Sequence, residues 1–63
     1  MDKTQSTKTR LMEAAIDLMA EKGYDGTTTK EIAAAAGVNE ITLFRHFGSK
    51  QQLLEQAVKT YHY

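Results

Sequence analysis

The 63-residue sequence contains no cysteine and no proline. Without cysteine, neither a disulfide framework nor a thiolate metal site can form, and without proline no proline-rich linker divides the chain. The two histidines, His46 and His62, lie too far apart for a local metal-binding motif. No apolar run follows the charged N-terminus, as a signal peptide would require. No stretch approaches the ~20 apolar residues of a membrane-spanning helix. A nucleophile–base pair at recognisable spacing, a glycine-rich phosphate loop and a pocketed carboxylate pair are all missing. These absences point to one small soluble domain, expected in the cytoplasm, with no membrane partner, no enzymatic activity, no metal and no cofactor.

Charge of one sign is also lacking: Lys and Arg number 8, Asp and Glu number 8, and the net charge is zero. A basic domain is the usual footprint of nucleic-acid binding, so the balance alone counts mildly against it. The distribution says more. Glu13, Asp17, Glu21 and Asp25 cluster in the first half, whereas Lys30, Arg45, His46 and Lys50 lie in or beside residues 28–47, faced there only by Glu31 and Glu40. Lys3, Lys8 and Arg10 make the N-terminal region basic.

What is present is helical patterning. Residues 1–6 read as a mobile polar arm, and residues 7–63 as the domain. A first helix, about 7–22, carries Leu11, Ala15, Leu18, Met19 and Lys22 at three- and four-residue intervals, with Met12 and Ile16 widening the stripe. Gly23 is placed to end it, Tyr24 to fold back over its last turn, and Asp25-Gly26 to make a turn. Thr28 and Glu31 form a capping box that opens a second helix, about 28–36, closed by Gly37. Val38 is expected to be buried in the turn. Asn39 caps a third helix, about 39–47. Ser49 and Gln52 form another capping box for a fourth, about 49–62, with an apolar stripe of Leu53, Leu54, Ala57, Val58 and Tyr61. The fold class is all-α, a small helical bundle containing a helix-turn-helix.

In the third helix, successive residues turn by about 100°, so Leu43 and Phe47 share a face while Ile41, Thr42 and Arg45 lie opposite. If the core takes Leu43 and Phe47, Ile41 is left facing outward beside Thr42 and Arg45, an unusual composition for a merely solvated face. Such a helix can present its N-terminal residues to base edges in a DNA major groove. Ile41 suits a thymine methyl, Thr42 a methyl or a hydrogen bond, Arg45 guanine or phosphate. Glu40 has two readings of equal weight, an acceptor for cytosine or a favourable charge on the helix N-terminus. Phosphate binding has its own signature. Thr28-Thr29-Lys30 and Ser49-Lys50 each place a hydroxyl and a lysine at a helix start, where lysine is unfavourable unless an anion joins it. Either lysine alone reads as solvated surface; two beside one short exposed helix point to phosphate. His46 can join Lys50 in that role. Phe44 reads as the rim of the core, and the acidic row of the first helix as a solvated face.

Gly23-Tyr24, Thr27-Thr28, Ile32-Ala33, Ala36-Gly37-Val38, Thr42-Leu43-Phe44, His46-Phe47 and Ser49-Lys50, followed by Leu53, resemble the N-terminal DNA-binding domain of the tetracycline-repressor (TetR) family. The resemblance runs from about Lys8 to Tyr61. It implies that Thr29 and Lys30 serve phosphate and in places base contact, that Glu40, Ile41 and Thr42 enter the major groove, and that Phe44, His46 and Lys50 hold the backbone. The chain departs from the family pattern at Asn39, where serine is usual, at Ile41, where glycine is frequent, and at Phe44, where tyrosine would add a hydroxyl for phosphate. The resemblance further implies a ligand-released repressor, a palindromic double-stranded operator, a homodimer formed through a C-terminal domain absent from this sequence, and a small-molecule inducer bound outside it. The helix 4 stripe still runs at Tyr63, which suggests a piece of a longer regulator. The competing reading from the residues alone is a small helical protein-interaction module anchored by Ile41 and Phe44.

Overall fold

A computed structural model describes residues 6–61, which form four helices: α1 (Thr7–Gly26), α2 (Thr29–Ala36), α3 (Glu40–Phe47) and α4 (Lys50–Tyr61). Ser6, expected in the polar arm, instead caps α1 by accepting from the Thr9 amide at 3.1 Å. The remainder of the arm and His62 lie outside the described residues.

The helix boundaries follow local chemistry, with one correction. At Gly23 the backbone leaves helical geometry with φ 79° and ψ 171°, as a glycine stop predicts. The chain then makes one more helical turn through Tyr24–Gly26, where the sequence suggested a non-helical Asp25-Gly26 turn. Thr27 closes this corner. It is fully buried, and its hydroxyl donates to the Gly23 carbonyl at 2.7 Å. The α2 start is capped by Thr28, whose hydroxyl accepts from the Glu31 amide at 3.1 Å. Its end is a Schellman motif. Gly37 sits at φ 75°, its amide donates to Ala34, and the Val38 amide reaches back to Ala33 at 2.9 Å. Asn39 then caps α3 through the Ile41 amide at 2.8 Å.

Each helix contributes one large, completely buried aliphatic side chain: Leu11, Ile32, Leu43 and Leu53. Burial of such a side chain contributes about 1.5–3 kcal/mol, so these four form the centre of an economical core. Met12, Ala14, Ala15, Ala33, Ala36, Phe47, Leu54 and Ala57 fill in around them. The alanines let helix backbones approach closely. α1 packs against α2 and α4, and α2 against α3, so the first helix is the spine on which the helix-turn-helix is mounted. Arg10 fastens that mount: its guanidinium donates to the Ala36 carbonyl at 2.8 Å, at the turn between α2 and α3.

Some stripe residues lie elsewhere than periodicity suggested. Ile16, Leu18, Met19 and Val38 are only partly buried against the core, and Val58 and Tyr61 are exposed. Lys22 leaves the α1 apolar stripe altogether and forms an ion pair with Glu31 at 2.6 Å.

Candidate nucleic-acid interface

The packing of α3 decides which of its side chains face out. Leu43 is fully buried and Phe47 nearly so, which turns Ile41 and Arg45 to solvent and leaves Thr42 half-buried. Ile41 is 65% exposed, on a helix only eight residues long that has already buried its best apolar positions. Phe44 is 43% exposed, so it stands at the edge of the surface and not within the core. Arg45 and His46 occupy the last turn of α3, where positive charge is favoured by the helix dipole, and both are exposed. The His46 ring lies 6.2 Å from that of Phe47. It borders a groove of about 290 Å³ shared with Gln52, Glu55, Gln56 and Lys59 of α4.

The N-terminus of α2 is joined directly to that of α3. The Thr29 hydroxyl donates to a Glu40 carboxylate oxygen at 2.6 Å. Glu40 therefore links the two helix starts as well as placing an acid in the first turn of α3. Lys30, one residue on, is exposed and forms no ion pair among the described residues. The Glu31 carboxylate turns away to Lys22. That contact holds the Glu31 carboxyl below the ordinary carboxylate range, chiefly through the hydrogen bond from the Lys22 ammonium. Both acids expected to oppose the basic side chains are thus engaged, Glu31 by an ammonium and Glu40 by a hydroxyl.

The N-terminus of α4 differs. The Ser49 hydroxyl accepts from the Gln52 amide at 3.2 Å, as its capping box predicts. Lys50, however, turns inward. Its ammonium donates to the carbonyls of Tyr24 and Thr27, each at 2.9 Å, and lies 4.2 Å from the centroid of the Tyr24 ring. The bonds from Lys50 to Tyr24 and Thr27 and from Arg10 to Ala36 span 26, 23 and 26 residues, and no local pattern marks such partners.

Residues 11–57 match the family model described as "Bacterial regulatory proteins, tetR family". The chain belongs to that family. It is 53% identical over 49 residues to the uncharacterized HTH-type transcriptional regulator YvkB of Bacillus subtilis (strain 168), covering 78% of this chain and 26% of that protein. It is 44% identical over 52 residues to IcaR of Staphylococcus aureus (strain Newman), a negative transcriptional regulator of the biofilm operon icaADBC, covering 82% of this chain and 28% of that protein. The chain thus spans about a quarter of the length of the curated relatives it matches. No solved structure matches it significantly. Family membership accounts for the four-helix architecture and for the position of the helix-turn-helix within it. Among the described residues, no helix is long and apolar enough to cross a membrane.

Proposed function

We propose that this chain is the sequence-specific DNA-binding unit of a transcriptional regulator acting in the cytoplasm, a repressor released by a small molecule. The observation that carries the reading is Ile41, 65% exposed at the start of a helix whose other face holds Leu43 and Phe47 in the core. With α3 in the major groove, Ile41 meets a thymine methyl, Thr42 a methyl or an acceptor, and Arg45 a guanine edge. Lys30 approaches from the start of α2. The Glu40 oxygen not held by Thr29 is left to accept from a cytosine amino group. Phosphates are held by the free amides at the starts of α2 and α4, with Thr28, Thr29 and Ser49 beside them. His46 adds a contact at the far end of α3, where Phe44 packs against the sugar–phosphate edge. Lys50 stands apart, since two of its three N–H groups are already spent on carbonyls. In the longer proteins of this family, two such units on a dimer would span a palindromic operator, and an inducer would bind outside these residues. The reading assigns no reaction to the chain.

Selection from random duplex DNA, followed by titration of binding against salt, tests it. Log Kobs should fall linearly with log salt, with about 0.9 in slope for each phosphate neutralised. A folded chain that binds no duplex at low salt would falsify the proposal and favour a protein-interaction module. Ile41→Ala should change preference at one or two base positions, at about 1–3 kcal/mol of discrimination. A uniform loss across all duplexes would instead make Ile41 a packing residue.

A further inference from the structure

Lys50 has an environment that a phosphate ligand does not require. Its ammonium is bound to two backbone carbonyls from the corner between α1 and α2, those of Tyr24 and Thr27, each at 2.9 Å. The Tyr24 ring lies against the same ammonium at 4.2 Å from its centroid, within cation–π range. Both carbonyls need a partner. Tyr24 opens the single helical turn beyond the interruption at Gly23, and its oxygen otherwise accepts only the 3.2 Å bond from the Thr27 amide. Thr27 is completely buried and immediately precedes the α2 cap. Lys50 is the first residue of α4. One side chain therefore ties the start of α4 to the residue just before the α2 cap.

Resting on the reading of this chain as a DNA-binding unit, we propose that Lys50 is a positioning residue. It fixes the separation of the α2 and α4 N-termini, so that both engage the backbone of one duplex, and does so by its bonds to the protein and not by giving charge to a phosphate. The Tyr24 ring is the second half of the device. It covers the ammonium on its open side and keeps it on the carbonyls. Charge is still essential, because only a cation makes short bonds to two carbonyls and a ring face at once. The charge is spent inside the molecule.

Two substitutions separate this role from direct contact. Lys50→Met retains the stem and removes the ammonium. Tyr24→Leu removes the ring and alters no charge. Both are measured on the 63-residue chain against a duplex recovered by selection, at a temperature where circular dichroism shows each variant fully folded. Lys50→Met should weaken binding by about tenfold with the salt slope unchanged, since a charge-assisted bond is lost but no phosphate partner. Tyr24→Leu should weaken it by about threefold, and the double variant should lose no more than Lys50→Met alone. Without DNA, the Thr27, Thr28 and Thr29 amide resonances should move in Lys50→Met while those of Ala34 to Gly37 stay in place. A slope reduced by about 0.9 in Lys50→Met, with Tyr24→Leu binding as the parent does, overturns the proposal and makes Lys50 a phosphate contact. Unmoved Thr27–Thr29 resonances overturn it too, whatever the binding data. If the parent binds no duplex at low salt, the DNA reading itself fails and the proposal falls with it. The amide shifts would still report the tie between the helices, so the two failures are distinguishable. Should Lys50→Met not fold, Tyr24→Leu and its salt slope decide alone: parental affinity overturns the proposal.

Discussion

The starts of α2 and α4 look alike in sequence and differ in structure. Each has a hydroxyl cap, Thr28 or Ser49, that accepts from the amide three residues on. Each carries a lysine in its first turn. Yet Lys30 is exposed, whereas Lys50 is half-buried and serves two carbonyls and a ring. The difference comes from what surrounds each helix start. The α2 terminus opens toward the surface beside α3. The α4 terminus faces the corner at Gly23–Thr27, where interrupted helical geometry leaves carbonyls in need of a donor. A lysine at a helix N-terminus is therefore no more than a candidate for phosphate. The free carbonyls nearby decide whether it is available.

The largest effect expected on this contrast comes from the corner itself. Thr27 gives its carbonyl to Lys50 and its hydroxyl to Gly23, and it is fully buried. Thr27→Val keeps the shape, removes the 2.7 Å bond and leaves the Gly23 carbonyl without that donor. A loss of about 1–2 kcal/mol is expected, read as a drop of several degrees in a thermal melt. The Thr28 cap, by contrast, is exposed. If Thr27→Val melts with the parent, the corner is not the rigid base that distinguishes the two helix starts.

Lys30→Ala sharpens the same comparison from the other side. An exposed lysine with no ion pair among the described residues should leave thermal stability within about 0.5 kcal/mol of the parent. If it meets phosphate, its removal lowers the salt slope by about 0.9. An unchanged slope with a relaxed base preference at one position would move Lys30 from the backbone to the bases.

Much of this was legible in the sequence because it is local. Capping side chains, stop glycines and the three-to-four spacing of Leu11, Ile32, Leu43 and Leu53 with their neighbours act within a turn or two of helix. They fix the four helices and the outward face of α3. The exposure of Ile41 follows from the same periodicity. The orientation of Lys50, the Arg10 bond to Ala36, and the pairing of Lys22 with Glu31 are set by how helices meet. A lysine at the end of an apolar stripe reads as its continuation, because its stem is apolar. Only the position of α2 shows that its charge has an acid to reach. The extra turn at Tyr24–Gly26 was missed for a related reason: Gly23 does break the helix, but the Thr27 amide bonds back to Tyr24 and restores one turn beyond it.

A smaller effect is expected at Glu40. Its carboxylate accepts from Thr29 at 2.6 Å, joining the starts of α2 and α3, yet it also sets negative charge beside the proposed DNA surface. Glu40→Gln retains an acceptor for the hydroxyl and removes the charge. Affinity for all duplexes should rise about twofold, mostly through faster association at low salt. If Glu40 reads cytosine, the same substitution lowers preference at a single position instead, which a selection experiment on the variant would reveal.

The smallest effect concerns Lys22 and Glu31, which brace the α2 start from the α1 side. The Glu31 carboxyl is held below its ordinary 4.5 mainly by the hydrogen bond from Lys22, and the Lys22 ammonium above its ordinary 10.5 mainly by the same bond. A lowered carboxyl favours the folded state above the ordinary carboxylate value, and that contribution fades as pH falls through the lowered one. A raised ammonium contributes below 10.5, and its share fades as pH rises through the raised value. Between these limits the contribution is flat. It is also modest, because the side chains are 42% and 40% exposed and water and salt screen the pair. In melts of the parent and Lys22→Met across pH, a small constant gap should therefore hold through neutrality. It should close in acid well below 4.5 and narrow in high salt. Coincident melts of parent and Lys22→Met at every pH would show that Lys22 steadies α2 through its hydrocarbon stem, which methionine keeps, and that the α2 start owes nothing measurable to charge.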